Sequence, residues 1–138
     1  MEDCIFCKIL KGELPSCKLY EDEHCIAILD IFPVSHGHSL VISKKHFDTL
    51  LDAPSETVCR LLEPVKKIAG AVVKATKSDG FNLIQNNHRA AGQLIPHLHF
   101  HIIPRKTGDG LTFHWKQSKY PEGEMDKTAD AITKNLNS

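Results

Sequence analysis

The sequence predicts an α+β domain: an antiparallel sheet of about five strands, a long helix packed on it, and short helices near the N- and C-termini. Three observations carry this reading. The elements run strand, strand, strand, long helix, strand, strand, and the early connections are short enough for hairpins, which favours antiparallel pairing. Between Pro54 and Lys77, Val58, Leu61, Leu62, Val65, Ile68, Ala69 and Val72 recur at spacings of three and four, the stripe of a helix lying on a sheet. In His97-Leu98-His99-Phe100-His101-Ile102-Ile103 imidazoles alternate with apolar residues, the period of a strand with two unlike faces.

Taken in order, residues 5–11 read as a short helix stopped by Gly12. Lys18 to Glu21 and Cys25 to Asp30 read as strands around the acidic turn Glu21-Asp22-Glu23. Residues 31–37 form a loop punctuated by Pro33 and Gly37, and His38 to Ser43 is strongly β-prone. Pro54 suits the first turn of the long helix. Pro64 lies off the apolar stripe yet inside the pattern, predicting a kink or a division into two helices. Asp79-Gly80 is a turn, and Phe81 to Asn87 a strand that ends in the polar cluster Gln85, Asn86, Asn87, His88. A loop containing Gly92 leads into the histidine strand, which Pro104 and the segment Gly108 to Gly110 end. A tail helix would use Met125, Ala129, Ile132 and Leu136 as its apolar face.

A chain of 138 residues with 41% apolar composition has room for one folded domain, expected to span residues 1–138. Lys plus Arg and Asp plus Glu both number 17, a balance that argues against a general nucleic-acid or anionic-membrane binder. No apolar run approaches the roughly 20 residues that span a bilayer. The opening Met1-Glu2-Asp3 lacks the basic-then-apolar pattern of a secretory leader, so none is expected. The cysteines, Cys4, Cys7, Cys17, Cys25 and Cys59, are odd in number; free thiols or metal ligands in a reducing, cytoplasmic setting are expected.

On a strand, His97, His99 and His101 share one face while Leu98, Phe100 and Ile102 fill the core behind it. Three polar rings crowded on one face are poorly explained as ordinary structural histidines. A metallohydrolase would want a nearby carboxylate as general base, yet residues 85–106 contain no Asp or Glu. Attack by an imidazole on phosphorus wants neutral groups and donors instead, and Asn86, His88, Arg89, Gln93 and His101 supply them. Cys4-x-x-Cys7 suits two thiolates on a tetrahedral zinc, or a redox pair. With three residues before Cys4, the strand that usually precedes a redox pair is not expected. His36, His38 and His46 offer further ligands for a zinc site; Asp30, before a Pro-containing loop, reads by default as a turn residue, and Trp115 as a packing residue. There is no P-loop and no carboxylate cluster for magnesium, so turnover without added Mg2+ is expected.

These residues resemble the histidine-triad (HIT) family, in its Hint and bacterial Hit-like branch. His97 to Ile103 fits the signature His-φ-His-φ-His-φ-φ, with φ apolar. Cys4-Ile5-Phe6-Cys7-Lys8-Ile9, Tyr20-Glu21-Asp22, Asp30-Ile31, Gly37 to His46 and Ala91-Gly92-Gln93 follow in the family's order. The resemblance implies a homodimer that hydrolyses or transfers at the α-phosphorus of purine nucleoside phosphoramidates or related nucleotides and releases AMP- or GMP-type products. By position it makes His99 the nucleophile that forms a nucleotidyl-imidazole. His101 becomes a phosphate-oxygen partner, and His97 and His38 support the triad. It places Asn86 and Gln93 around the phosphate, Asp30 on the ribose hydroxyls, and Phe6, Ile9, Leu29 and Ile31 around the base. It assigns a structural Zn2+ to Cys4, Cys7, His46 and His97; four protein ligands leave no open position for water. Leu94 departs from the family, which usually has Ser or Thr after Ala-Gly-Gln. Diadenosine polyphosphate hydrolysis and nucleotide binding with vestigial catalysis are the rival expectations.

Overall fold

Two strands lack alternation altogether. β2 (Cys25–Leu29) and β3 (Ser39–Ser43) are apolar or small throughout and almost wholly buried, the signature of strands covered on both faces. The computed structural model, which describes residues 3–138, puts them inside a five-stranded sheet of order β1-β2-β3-β5-β4. Every neighbouring pair is antiparallel. β1 (Lys18–Glu21) and β4 (Gly80–Ile84) are the edges, and β5 (His99–Arg105) lies between β3 and β4. Helices α1 (Ile5–Leu10), α2 (Ser55–Thr76) and α3 (Glu124–Leu136) complete the α+β architecture.

The sheet separates two apolar clusters. On one face Leu61, Val65, Ile68, Ala69 and Val72 of α2 pack on Cys25, Ala27, Val41, Leu98, Phe100 and Ile102. On the other, Phe6 of α1 packs on Ile26, Ile28, Leu40 and Ile42. Pairing of Leu40 with His101 and of Ile42 with His99 sets those imidazoles on the α1 face, as strand alternation predicts.

Several boundaries and two prolines differ from expectation. β2 ends at Leu29, β3 begins at Ser39, β4 runs Gly80–Ile84 and excludes residues 85–87, and β5 begins at His99, so His97 stands just before it. α2 is continuous through Pro64, which is buried, whereas Leu62 is exposed. Pro64 is three residues after Leu61 and four before Ile68, so it lies on the stripe; only the Arg60 carbonyl loses its intrahelical partner. Pro104 does not end β5. Its carbonyl accepts Ser35 Oγ at 2.7 Å, so its backbone faces the 31–37 loop, while the neighbouring Arg105 carbonyl accepts Asp79 N–H across to β4. The missing N–H thus removes no ladder bond. α3 forms as expected, but Met125, Ile132 and Leu136 stay exposed, as does Trp115.

Gly37 joins the two layers at one point. Its φ of +98° is a left-handed value, and a Cβ there would sit 2.6 Å from Thr76 Cγ2 at the end of α2. Only glycine lets the loop before β3 approach α2 this closely while delivering His38 to the sheet's other face.

Candidate active site and metal centre

The hydrogen bonds of the buried histidines fix where each proton sits, because a carbonyl only accepts and a backbone N–H only donates. His99 Nδ1–H donates to the His97 carbonyl at 2.6 Å, leaving the lone pair on Nε2. Val34 N–H donates to His38 Nδ1 at 3.1 Å, so His38 carries its proton on Nε2. His38 Nε2–H in turn donates to His101 Nδ1 at 3.0 Å, which leaves His101 with a free Nε2–H. The result is an acceptor on His99 next to a donor on His101, with ring centroids 4.9 Å apart. All three rings are held neutral. Burial pushes the His101 imidazolium down to about 4, with His99 and His38 adding to the effect. Burial also lowers His99 and His38 from their ordinary value.

A cavity of about 450 Å³ opens in front of these rings. His99, His101, Asn86, Gly92, Leu94 and Ile95 share its wall with Asp30, His38, Phe6, Ile9, Leu29 and Ile31. Phe6 meets the His99 ring edge-on at 4.9 Å and the His97 ring at 5.7 Å. Asp30 closes the loop at the mouth: its N–H donates to the His38 carbonyl and its Oδ1 accepts Phe32 N–H at 2.9 Å. Asp30 Oδ2 lies 3.6 Å from His38 Nε2.

The structure therefore gathers Asn86, Asp30, Phe6, Ile9, Leu29, Ile31, His38, His99 and His101 around one cavity. Gln93 lies beside this group. It is buried, off the cavity wall, with Nε2 donating to the Asp48 carbonyl at 2.6 Å and Oε1 accepting His88 N–H at 2.8 Å. Both ends of its amide are taken up by backbone atoms, so it braces the loop after β4. That brace holds His88 at φ +68° and ψ +160°, a conformation almost confined to glycine.

Cys4, Cys7, His46 and His97 converge behind the cavity, their ligand atoms within 4.8 Å of one another. Cys4 Sγ lies 3.2 Å from His97 Nδ1, and Cys7 Sγ lies 3.2 Å from His46 Nδ1 and 3.6 Å from His97 Nδ1. Tetrahedral zinc with ordinary Zn–S and Zn–N bonds sets sulfur and nitrogen about 3.6 Å apart, so the spacing fits. The tautomers fit too. His97 Nε2–H donates to the Ser43 carbonyl at 2.7 Å and His46 Nε2–H to Asp48 Oδ1 at 2.8 Å, turning both Nδ1 lone pairs toward the thiols. Asp48, two residues after His46, is the partner sequence reading passed over. Asp30, His38 and His101 also cluster within 4.8 Å, but His38 Nδ1 already accepts Val34 N–H. A cation on His38 Nε2 would require an imidazolate, so with that bond kept the trio is a hydrogen-bonded chain and not a ligand set.

The HIT domain model matches residues 11–108, and the chain belongs to the histidine-triad family. It is 56% identical over 109 residues to "Adenylylsulfatase HINT3" of Arabidopsis thaliana, a match that covers 79% of this chain but only 55% of that protein. It is 41% identical over 138 residues to "Protein hit" of Bacillus subtilis, covering 98% and 95% of the two chains. With "Adenosine 5'-monophosphoramidase hnt1" of Schizosaccharomyces pombe it shares 39% identity over 134 residues, covering 96% of this chain and 98% of that one. The crystal structure of a HIT family member from Bacillus subtilis superposes with a TM-score of 0.91 at 41% identity, covering 99% of both chains. A Zn-bound histidine-triad family protein from Mycobacterium smegmatis superposes at 0.77 with 37% identity, covering 98% of both.

Proposed function

We propose that this protein is a nucleotide hydrolase or nucleotidyl transferase that acts at the α-phosphorus through a covalent nucleotidyl-His99 intermediate. The observation that carries the reading is the fixed tautomer of His99: Nδ1–H is locked on the His97 carbonyl and Nε2 presents its lone pair to the cavity. In the first step Nε2 bonds to phosphorus and the leaving group departs with its bonding pair. In the second, water displaces Nε2 and loses a proton to solvent. His101 Nε2–H and Asn86, which line the cavity, would hold the phosphoryl oxygens as charge develops. Asp30 sits at the mouth for the ribose hydroxyls, and Phe6, Ile9, Leu29 and Ile31 give an apolar wall for a purine. The names of the Arabidopsis and fission-yeast relatives support a nucleotide substrate.

Zn2+ held by Cys4, Cys7, His46 and His97 would tie α1 to the chain entering β5, and so fix Phe6 against His99. No step passes through the metal, and Mg2+ is not required. The exposed Met125, Ile132 and Leu136 of α3, with Trp115, support a homodimer in which a second copy covers them. The free cysteines support a reducing, cytoplasmic setting. No helix among the described residues is long and apolar enough to cross a membrane.

The test is turnover of adenosine 5'-phosphoramidate by His99→Ala. Turnover should vanish while AMP still binds; near wild-type turnover would refute the nucleophile.

A further inference from the structure

Resting on the Zn2+ assignment above, we propose that Asp48 and Gln93 couple the metal centre to the loop of residues 85–93, so that filling the centre orders the loop and the ordered loop tightens the centre. Asp48 faces both ways. Its carboxylate Oδ1 accepts the Nε2–H of the ligand His46 at 2.8 Å, while its backbone carbonyl accepts Gln93 Nε2–H at 2.6 Å. Asp48 is thus a positioning residue for one ligand and, through Gln93, an anchor for the loop.

Two hydrogen bonds tie the loop to the segment that follows His46. One is the bond from Gln93; in the other Leu50 N–H donates to Asn87 Oδ1 at 2.7 Å. Both anchors lie within four residues of His46. The same segment is stitched to the chain beside His97, where Leu98 N–H donates to the Phe47 carbonyl at 2.7 Å. Inside the loop Gln93 Oε1 accepts His88 N–H at 2.8 Å, and the His88 carbonyl accepts Ala91 N–H and Gln93 N–H, both at 3.1 Å. His88 sits at φ +68° and ψ +160°, a conformation that persists only while its surroundings over-determine it. Release of an anchor lets it relax.

A metal on His46 Nδ1 fixes the ring, and the fixed ring holds residues 46–50 where the Asp48 carbonyl and Leu50 N–H meet the loop. The linkage is reciprocal: the loop strengthens metal binding by the factor by which the metal strengthens the loop. The two side chains differ in weight. That of Asp48 is 63% exposed, so water competes for His46, and loss of the carboxylate should weaken zinc binding about tenfold, the lower end for such partners. Gln93 is buried, and its loss leaves the Asp48 carbonyl and His88 N–H unpaired; zinc binding should weaken about fivefold although no ligand has changed. Asn86 rides on this loop and lines the cavity, so loss of the metal reaches the cavity although none of its four ligands lines it.

The experiment measures the zinc Kd by competition with a chromophoric chelator, and amide hydrogen exchange with zinc bound and with zinc removed. Gln93→Met should raise the Kd about fivefold and Asp48→Ala about tenfold. Asp48→Asn, which keeps an acceptor for His46, should recover part of that loss. Val65→Ala, which loosens the core under α2 and touches no part of the link, should leave the Kd within about twofold. In wild type, zinc removal should speed exchange at His88 and Leu50 about fivefold or more while the amides of β2 and β3 stay protected. In Gln93→Met the His88 amide should exchange fast with or without zinc. An unchanged Kd in Gln93→Met, an equal rise in Val65→Ala, exchange at His88 and Leu50 that ignores zinc, or equal loss of protection in β2 and β3 overturns the coupling. Wild type that takes up zinc and shows no coupling refutes this inference alone, whereas wild type that binds no zinc refutes the metal assignment beneath it as well.

Discussion

Replacing Phe6 by Ala should damage stability and chemistry through one side chain. Phe6 is 3% exposed and is the residue of α1 that seals the second apolar cluster. Truncating a buried Phe costs about 3–5 kcal/mol when the hole stays empty. Phe6 also lines the cavity, so part of the space opens to water and the lower end, about 3 kcal/mol, is expected. For a chain of 138 residues the unfolding entropy is roughly 0.3 kcal/mol/K, which turns that loss into a fall in Tm of about 10 °C. The same change frees the His99 ring, which Phe6 meets edge-on at 4.9 Å. kcat should fall about tenfold as the imidazole leaves its attack geometry, while KM changes less. Zinc content should hold, since Cys4, Cys7, His46 and His97 remain. Phe6→Leu should restore much of the Tm but not the kcat. Scanning calorimetry, steady-state kinetics and metal analysis read these outcomes. A Tm fall of under about 3 °C, or an unchanged kcat, would refute the packing argument.

Gly37→Ala combines a left-handed backbone with a contact of 2.6 Å on Thr76 Cγ2, so a loss of about 2–4 kcal/mol is expected in chemical denaturation. An unchanged midpoint would contradict the close approach. Cys4→Ala should abolish stoichiometric zinc and lower Tm, with a smaller effect on the chemical step; full zinc content by metal analysis would remove Cys4 from the ligand set. The pH dependence follows from the histidines held neutral. A folded-state value of about 4 for His101, below the unfolded value of about 6.5, stabilises the fold above pH 6.5. That stability should be lost as pH falls from 6.5 toward 4, up to about 3 kcal/mol for His101. The acidic limb of kcat/KM should likewise fall below pH 6.5 because burial lowers His99. A limb at or above 6.5 would contradict a buried, neutral nucleophile.

Local patterns carried most of the fold. Lys18–Glu21 emerges with the expected bounds, and the alternation of His97 to Ile103 sorts imidazoles from core side chains although the strand itself starts at His99. The prolines misled because their consequences depend on what lies opposite. Counting Leu62 onto the α2 stripe moves its centre away from Pro64, and nothing local shows that the Pro104 backbone faces Ser35. The site was legible as a set of residue types and illegible as a set of protons. Val34 N–H and the carbonyls of His97 and Ser43 decide which ring nitrogen of His38, His99 and His97 donates, and backbone groups leave no mark in a sequence. The bracing partners of Gln93, His88 N–H and the Asp48 carbonyl, are hidden for the same reason, since they become visible only once the loop is folded.

The most direct test is rapid acid or base quench of the enzyme during turnover of an adenylate, followed by mass spectrometry of the peptide spanning residues 97–101. The account predicts an adenylyl group that is retained in base, lost in acid and located on Nε2 of His99. The same label on His97 or His101, or turnover with no labelled histidine at any quench time, would contradict it.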